Sequence, residues 1–233
     1  MLRDISVLIA ASLLSLPLQA KVVVFWQPGF PTAASQPIDR AALEKALQGL
    51  DPFYADETAL AAADTLADSD LLILPYGSAV PVEAWKAIEH HLDSGGNLLV
   101  LGGLPLRVPV RFANGQYVAA VAQDTYSRAL GFRHTYEVPV SRDTVFHWRS
   151  GYAWLPTLQI HAQHFFAVEG RLNGLGYMAD SAGQLVAAPV IVADHAGRGP
   201  DNRMAGSRIA AYVIKTDENR MIARHARAIL QQK

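Results

Sequence analysis

A chain of 233 residues has room for one large domain with an elaborated half, and 51% hydrophobic against 18% charged residues suits a sizeable core. Twenty Lys and Arg against 21 Asp and Glu leave a net charge of −1, which removes the electrostatic case for nucleic acid or anionic membrane as a partner. There is no cysteine, so disulfides, lipoprotein attachment and every thiolate nucleophile are excluded.

Met1-Leu2-Arg3-Asp4 is a short charged start, Ile5 to Leu18 is almost all apolar, and Ala20 supplies a small residue before Lys21. This anatomy predicts a secretory signal peptide over residues 1–20, with too few apolar positions for a comfortable transmembrane span. The remainder, 21–233, is expected in the periplasm or outside the cell; the alternative is a protein anchored by an uncleaved N-terminal segment.

Val22 to Trp26 is an apolar run that predicts a first strand. Asp39 is a suitable N-cap for a helix carrying Leu43, Ala46 and Leu47 on one face, and Asp56 for a weaker one with Leu60, Ala63 and Leu66. A short strand over 51–54 separates them. Residues 70–104 form one strand–helix–strand unit. Leu71 to Leu74 lacks polar alternation, as suits a strand covered on both faces. Pro81 is positioned to open a helix whose buried stripe is Val82, Trp85, Ile88 and Leu92. Gly95-Gly96 ends it, and Asn97 to Leu101 is the next buried strand. Strands alternating with helices predict a doubly wound, mainly parallel sheet with helices on both faces.

After Pro105 the pattern changes. Two alternating segments flank Asn114-Gly115, a hairpin signal, and Pro109 argues for an edge position. Asp124 is a cap for a short helix through Leu130. Residues 132–158 show no periodicity, so 107–158 is expected to be a hairpin and loop insertion. Further strands are expected around His164–Val168, Gly176–Ala179, Leu185–Ala193 and Arg208–Ile214, with turns at Asn173-Gly174 and 180–184. A closing helix is expected to bury Ile222, Ala226, Ile229 and Leu230.

The runs DLLILPYGSAVPVEAWKAIEHHLDSGGNLLVLGGLP and, more weakly, APVIVADHAGRG resemble the class I glutamine amidotransferase-like superfamily of flavodoxin-like domains. More narrowly, the chain looks like the catalytically silent versions attached to bacterial glycoside hydrolases and β-galactosidases. Active members carry a nucleophilic cysteine on the turn after the strand corresponding to Asn97–Leu101. Leu104 stands about there, and the histidine of such triads would fall near His195. The resemblance therefore implies a flavodoxin-like fold without amidotransferase chemistry, since a base without a nucleophile performs none of it.

Ligands of open α/β sheets lie beyond the carboxyl ends of the strands, so Tyr76–Val80 and Gly102–Leu106 frame the place to look. Ser78 is a weak candidate nucleophile, because the flanking glycines of a hydrolase elbow are incomplete. His195 is a weak candidate base. Gly102 and Gly103 would let a ligand approach the backbone, against the alternative of a tight turn. Trp26 and Tyr76 would offer a shallow surface, and Trp148 and Trp154, with Tyr152, a platform for sugar rings, against the alternative of core packing. His161 and His164 have a spacing seen in metal sites, but three residues apart on an extended segment they face opposite ways. No metal or other cofactor is expected. Glu137, Asp143 and Glu169 bear no glycosidase motif.

The expectation is an exported, non-catalytic domain accessory to a carbohydrate-active enzyme, acting by positioning, oligomerisation or sugar contact. Its partners would be a carbohydrate, a fused or associated catalytic domain, or further copies of itself. The alternatives are a small-molecule hydrolase using Ser78 and His195 at the strand carboxyl ends, and a stand-alone periplasmic binding module.

Overall fold

A computed structural model describes residues 20–130, 134–139, 143–148, 164–169, 172–196 and 206–212. Its centre is an eight-stranded sheet. β1 (Val22–Phe25), β2 (Phe53–Ala55), β3 (Leu71–Leu74), β5 (Asn97–Leu101) and β13 (Gly206–Tyr212) run parallel in the order β2-β1-β3-β5-β13. β12 (Leu185–Ala196), β11 (Leu172–Ala179) and β9 (Val145–Trp148) extend it antiparallel. The fold is α/β and flavodoxin-like, with a mainly parallel sheet in its first half.

The apolar runs are explained by burial on both faces. No residue of β1 or β3 is more than 1% exposed, and Leu98 to Val100 in β5 are fully buried. Val23, Phe25, Leu72, Leu74, Leu98 and Val100 share one cluster with Leu60, Ile88 and Leu92 from helices α2 (Glu57–Ala61) and α3 (Trp85–Asp93). The alternate residues Val22, Val24, Leu71, Ile73 and Leu99 are equally buried and face the other side, the side of α1 (Arg40–Ala46) with Leu43 and Leu47. Asp39 and Asp56 cap α1 and α2 as expected, accepting from Ala42 N–H at 3.0 Å and Ala59 N–H at 2.8 Å. Gly95, at φ 92°, ends α3, with its N–H on Leu92 O and that of Gly96 on His91 O.

Several local expectations are corrected. Pro81 does not open a helix: Ala79–Pro81 is a three-residue strand, β4, followed by a 3₁₀ turn at Val82–Ala84 before α3 begins. The predicted stripe of the second helix breaks off at Ala61, and turns carry the chain to Ser69. The hairpin forms as its Asn-Gly pair predicts, with β6 (Val108–Ala113) and β7 (Gln116–Ala119) joined through Asn114 at φ 52° and Gly115 at φ 81°. Pro109, however, lies in the middle strand of a small sheet ordered β4-β6-β7. It is tolerated there because it stands one residue before the β6–β7 register begins and needs only to accept, from Ala120 N–H at 2.7 Å.

The stretch expected to be loop contains β8 (His134–Pro139) and β9; β8 pairs with β10 (His164–Glu169) in a separate ladder. Asn173-Gly174 is not a turn but lies inside β11. Asp124 precedes α4 (Thr125–Ala129) without capping it through its side chain, and pairs instead with Arg107 at 3.1 Å and, more loosely, Arg128. The expected closing helix and the proposed signal peptide lie outside the described residues.

Candidate functional site at the carboxyl edge of the sheet

Three loops leave the carboxyl ends of β1, β3 and β5, and their backbones are tied together. Ala33 N–H donates to Tyr76 O, Ser78 N–H to Ala33 O at 2.8 Å, and Gly77 N–H to Leu101 O at 3.1 Å. The knot depends on glycine. Gly77, Gly102 and Gly103 have φ of 63°, 81° and 61°, which an L side chain rarely adopts. A Cβ at Gly102 would stand 2.7 Å from Ser35 Cβ, and one at Gly103 would stand 2.7 Å from Ser78 N and closer still to Ser78 Oγ.

Consequently the strand ends are filled. Residues 101 to 106 are all buried, and Leu104 is 2% exposed. Gly102 and Gly103 sit under that cover. Ser78 is also 2% exposed, and its Oγ has no partner among the described residues. No base among the described residues is hydrogen-bonded to it. The N–H groups of Gly77 and Ser78, which an oxyanion would need, are committed to carbonyls.

His195 is not at this edge. β12 runs antiparallel, His195 pairs with Ser207, and β13 reaches Leu98 of β5 only at Ile209. The backbone of His195 thus lies at the amino edge of the parallel strands, at the opposite end from Ser78. The expectation of both at the carboxyl ends is corrected. A strand's own carboxyl end marks the sheet's carboxyl edge only when the strand is parallel.

Aromatic residues cover the β1 side. Tyr76 is 8% exposed; its hydroxyl receives Gln27 N–H at 2.8 Å and donates to Gln27 O at 3.0 Å. Burial raises its pKa. Its ring packs against Phe25, Phe30 and Trp26 with centroids 5.0–5.9 Å apart. Trp26 is half-buried and meets the Arg40 guanidinium at 5.4 Å, which also lies 3.9 Å over Tyr54. Trp148 is elsewhere, on β9, edge-on to Phe146 at 4.9 Å, where Gly176 on the neighbouring strand leaves room for the Phe146 ring. Trp154 and Tyr152 lie outside the described residues, as does His161. Among the described residues no group of three or more His, Asp or Glu is placed to hold a metal ion.

The residue that sequence reading misses is Glu57. It is the first residue of α2 and reads as an ordinary acid at a helix start, yet it is only 6% exposed. Its N–H donates to Gln27 Oε1 at 3.2 Å. Its carboxyl faces the Tyr117 hydroxyl and the Glu83 backbone, both of which favour its charged form, while Oε1 has no hydrogen-bond partner among the described residues. Desolvation is the larger effect and pushes its pKa up; Tyr117, desolvated and facing that carboxyl, is pushed up to about 12. Tyr117 belongs to β7 and packs at a tilt against Phe30, centroids 5.2 Å apart. Glu57 thus meets three segments: its backbone N–H bonds to the β1 loop, and its carboxyl faces the 3₁₀ turn and the hairpin. Tyr117 holds the hairpin against Phe30 of the β1 loop.

No protein-family profile matches this chain, and neither does any curated protein sequence. Solved structures do match. The cold-adapted β-galactosidase from Rahnella sp. R3 is similar over 91% of this chain and 31% of its own, at TM-score 0.59 and 14% identity. Gan42B, a GH42 β-galactosidase from G. stearothermophilus, matches over 91% and 30%, at TM-score 0.56 and 11% identity. The chain thus spans about a third of the length of the β-galactosidases it resembles. At such low identity what they share with it is the α/β fold, across nearly its whole length.

Proposed function

We propose that this chain is a non-catalytic, amidotransferase-like module accessory to a carbohydrate-active enzyme, exported by its first twenty residues. The observation that carries the proposal is the filled carboxyl edge, with Leu104 buried where such domains place a nucleophile and Tyr117 of the hairpin packed against Phe30 of the β1 loop. The β-galactosidase likeness supports the kind of partner, because there a similar fold makes up about a third of a larger enzyme. Three measurements test this. The purified chain should neither release ammonia from glutamine nor hydrolyse p-nitrophenyl acetate or p-nitrophenyl β-galactoside; turnover lost in Ser78→Ala would establish the hydrolase instead. The tagged chain, expressed in its source organism, should retain a glycoside hydrolase identified by mass spectrometry; retention of no such enzyme refutes the accessory role. N-terminal sequencing of the chain recovered from the periplasm should begin at Lys21.

A further inference from the structure

A second site lies at the other end of the sheet and is independent of the first. Between residues 61–69 and α3 there is a cavity of about 320 Å³, open to solvent. It exists because the wall facing α3 is built from alanines: Ala63 and Ala67 on one side and Ala87 on the other leave unfilled the space that leucines would close. Its floor is a buried polar pair. His91, 3% exposed, has Nε2 3.1 Å from Asn97 O and Nδ1 3.3 Å from Ser69 Oγ. A carbonyl only accepts, so Nε2 carries the proton. The ring fits because Gly96 has no side chain to collide with it.

The charge on the lining is one-sided. Lys86 and His90 border the cavity one helical turn apart on α3, Ser94 offers a hydroxyl, and no Asp or Glu contributes to the wall. Asp64, Asp68 and Glu89 are close in sequence but outside the lining. Arg40, Arg107, Arg111 and Arg128 each sit against a carboxylate, whereas Lys86 and His90 have none among the described residues. The negative end of α3 opposes an anion less than an open helix end would, because the Gly95 and Gly96 N–H groups take the carbonyls of Leu92 and His91.

We propose that this cavity binds a small organic carboxylate, its charge on Lys86 and His90, its apolar body against the alanine wall and any hydroxyl on Ser69 or Ser94. The test is ligand-observed NMR titration of the full chain with benzoate, and with benzamide as the uncharged isostere. Benzoate should saturate with Kd of about 1 mM or tighter and benzamide should bind several-fold more weakly. The double variant Lys86→Met, His90→Gln should weaken benzoate about fivefold. Ala67→Leu fills the cavity from an exposed position and should abolish binding with the melting temperature unchanged; if it fails to fold, Ala63→Leu on the same wall replaces it. Equal binding of benzoate and benzamide, no saturation by about 10 mM, or binding undiminished in the filled cavity would each overturn the proposal.

Discussion

At the carboxyl edge of the parallel strands, loops, glycines and an added hairpin close over a serine whose hydroxyl has no partner among the described residues; at the amino edge, alanines leave a cavity open above a histidine whose ring nitrogens both face polar partners. In open α/β sheets the first edge is the habitual site of chemistry. Here it has been spent on packing. The difference teaches that a fold supplies a location, while side-chain volume decides whether anything can enter it.

The contrast is broken most severely at Gly103. Gly103→Ala places a Cβ against Ser78 from a left-handed backbone and should destabilise the protein by about 3 kcal/mol, read from the shift in urea midpoint. The amino edge responds to acid instead. Burial holds folded His91 below its ordinary 6.5, so the unfolded chain takes up the proton more readily. The stability tied to His91 is whole above pH 6.5 and is drawn down as pH falls below that value. His91→Phe should lose roughly 2 kcal/mol at pH 8 through the lost ring hydrogen bonds to Ser69 and Asn97, and should show a flatter decline between pH 6.5 and 5 than the parent.

Glu57 works with the opposite sign. Its folded pKa lies above 4.5, so the stability tied to it is whole below pH 4.5 and declines as pH rises through the raised value. Glu57→Gln keeps an acceptor for Tyr117 and should raise stability at pH 7 by about 1 kcal/mol, with that decline gone. A loss of stability at pH 7 would show that the ionised carboxylate, rather than its shape, holds the hairpin. The smallest effect belongs to Arg40→Ala, about 0.5 kcal/mol, since the guanidinium over Trp26 and Tyr54 is partly solvated. Tryptophan fluorescence should change more than the melting temperature does.

The parallel half of the fold was legible because its evidence is local. Leu71–Leu74 and Asn97–Leu101 announce double-sided burial within five residues, and Asp39, Asp56, Gly95 and the Asn114-Gly115 pair act within one turn of themselves. What failed to show depends on distant partners. Pro81 suits a helix start, but pairing of β4 with β6 holds it extended. Pro109 is acceptable in a middle strand only because of where the neighbouring register begins. The importance of Glu57 comes from Gln27, Glu83 and Tyr117, and no spacing joins those positions. His195 was assigned to the wrong edge because strand direction follows from pairing with β13.

The two ends of the strand order carry a consequence for how the protein coexists with itself. Among the described strands, β2 and β9 stand at the ends of the eight-stranded sheet and carry the exposed apolar side chains Phe53 and Val145, the kind of border onto which another strand can dock. β2 limits that risk by brevity: three residues long, preceded by Asp51 and Pro52 and followed by Asp56, it leaves an incoming strand little length to grip and charge at either side. β9 has four residues and no proline within it. Self-association at high concentration should therefore begin along β9, and Val145→Lys should suppress it with little effect on the monomer's stability, as light scattering and thermal melting would show.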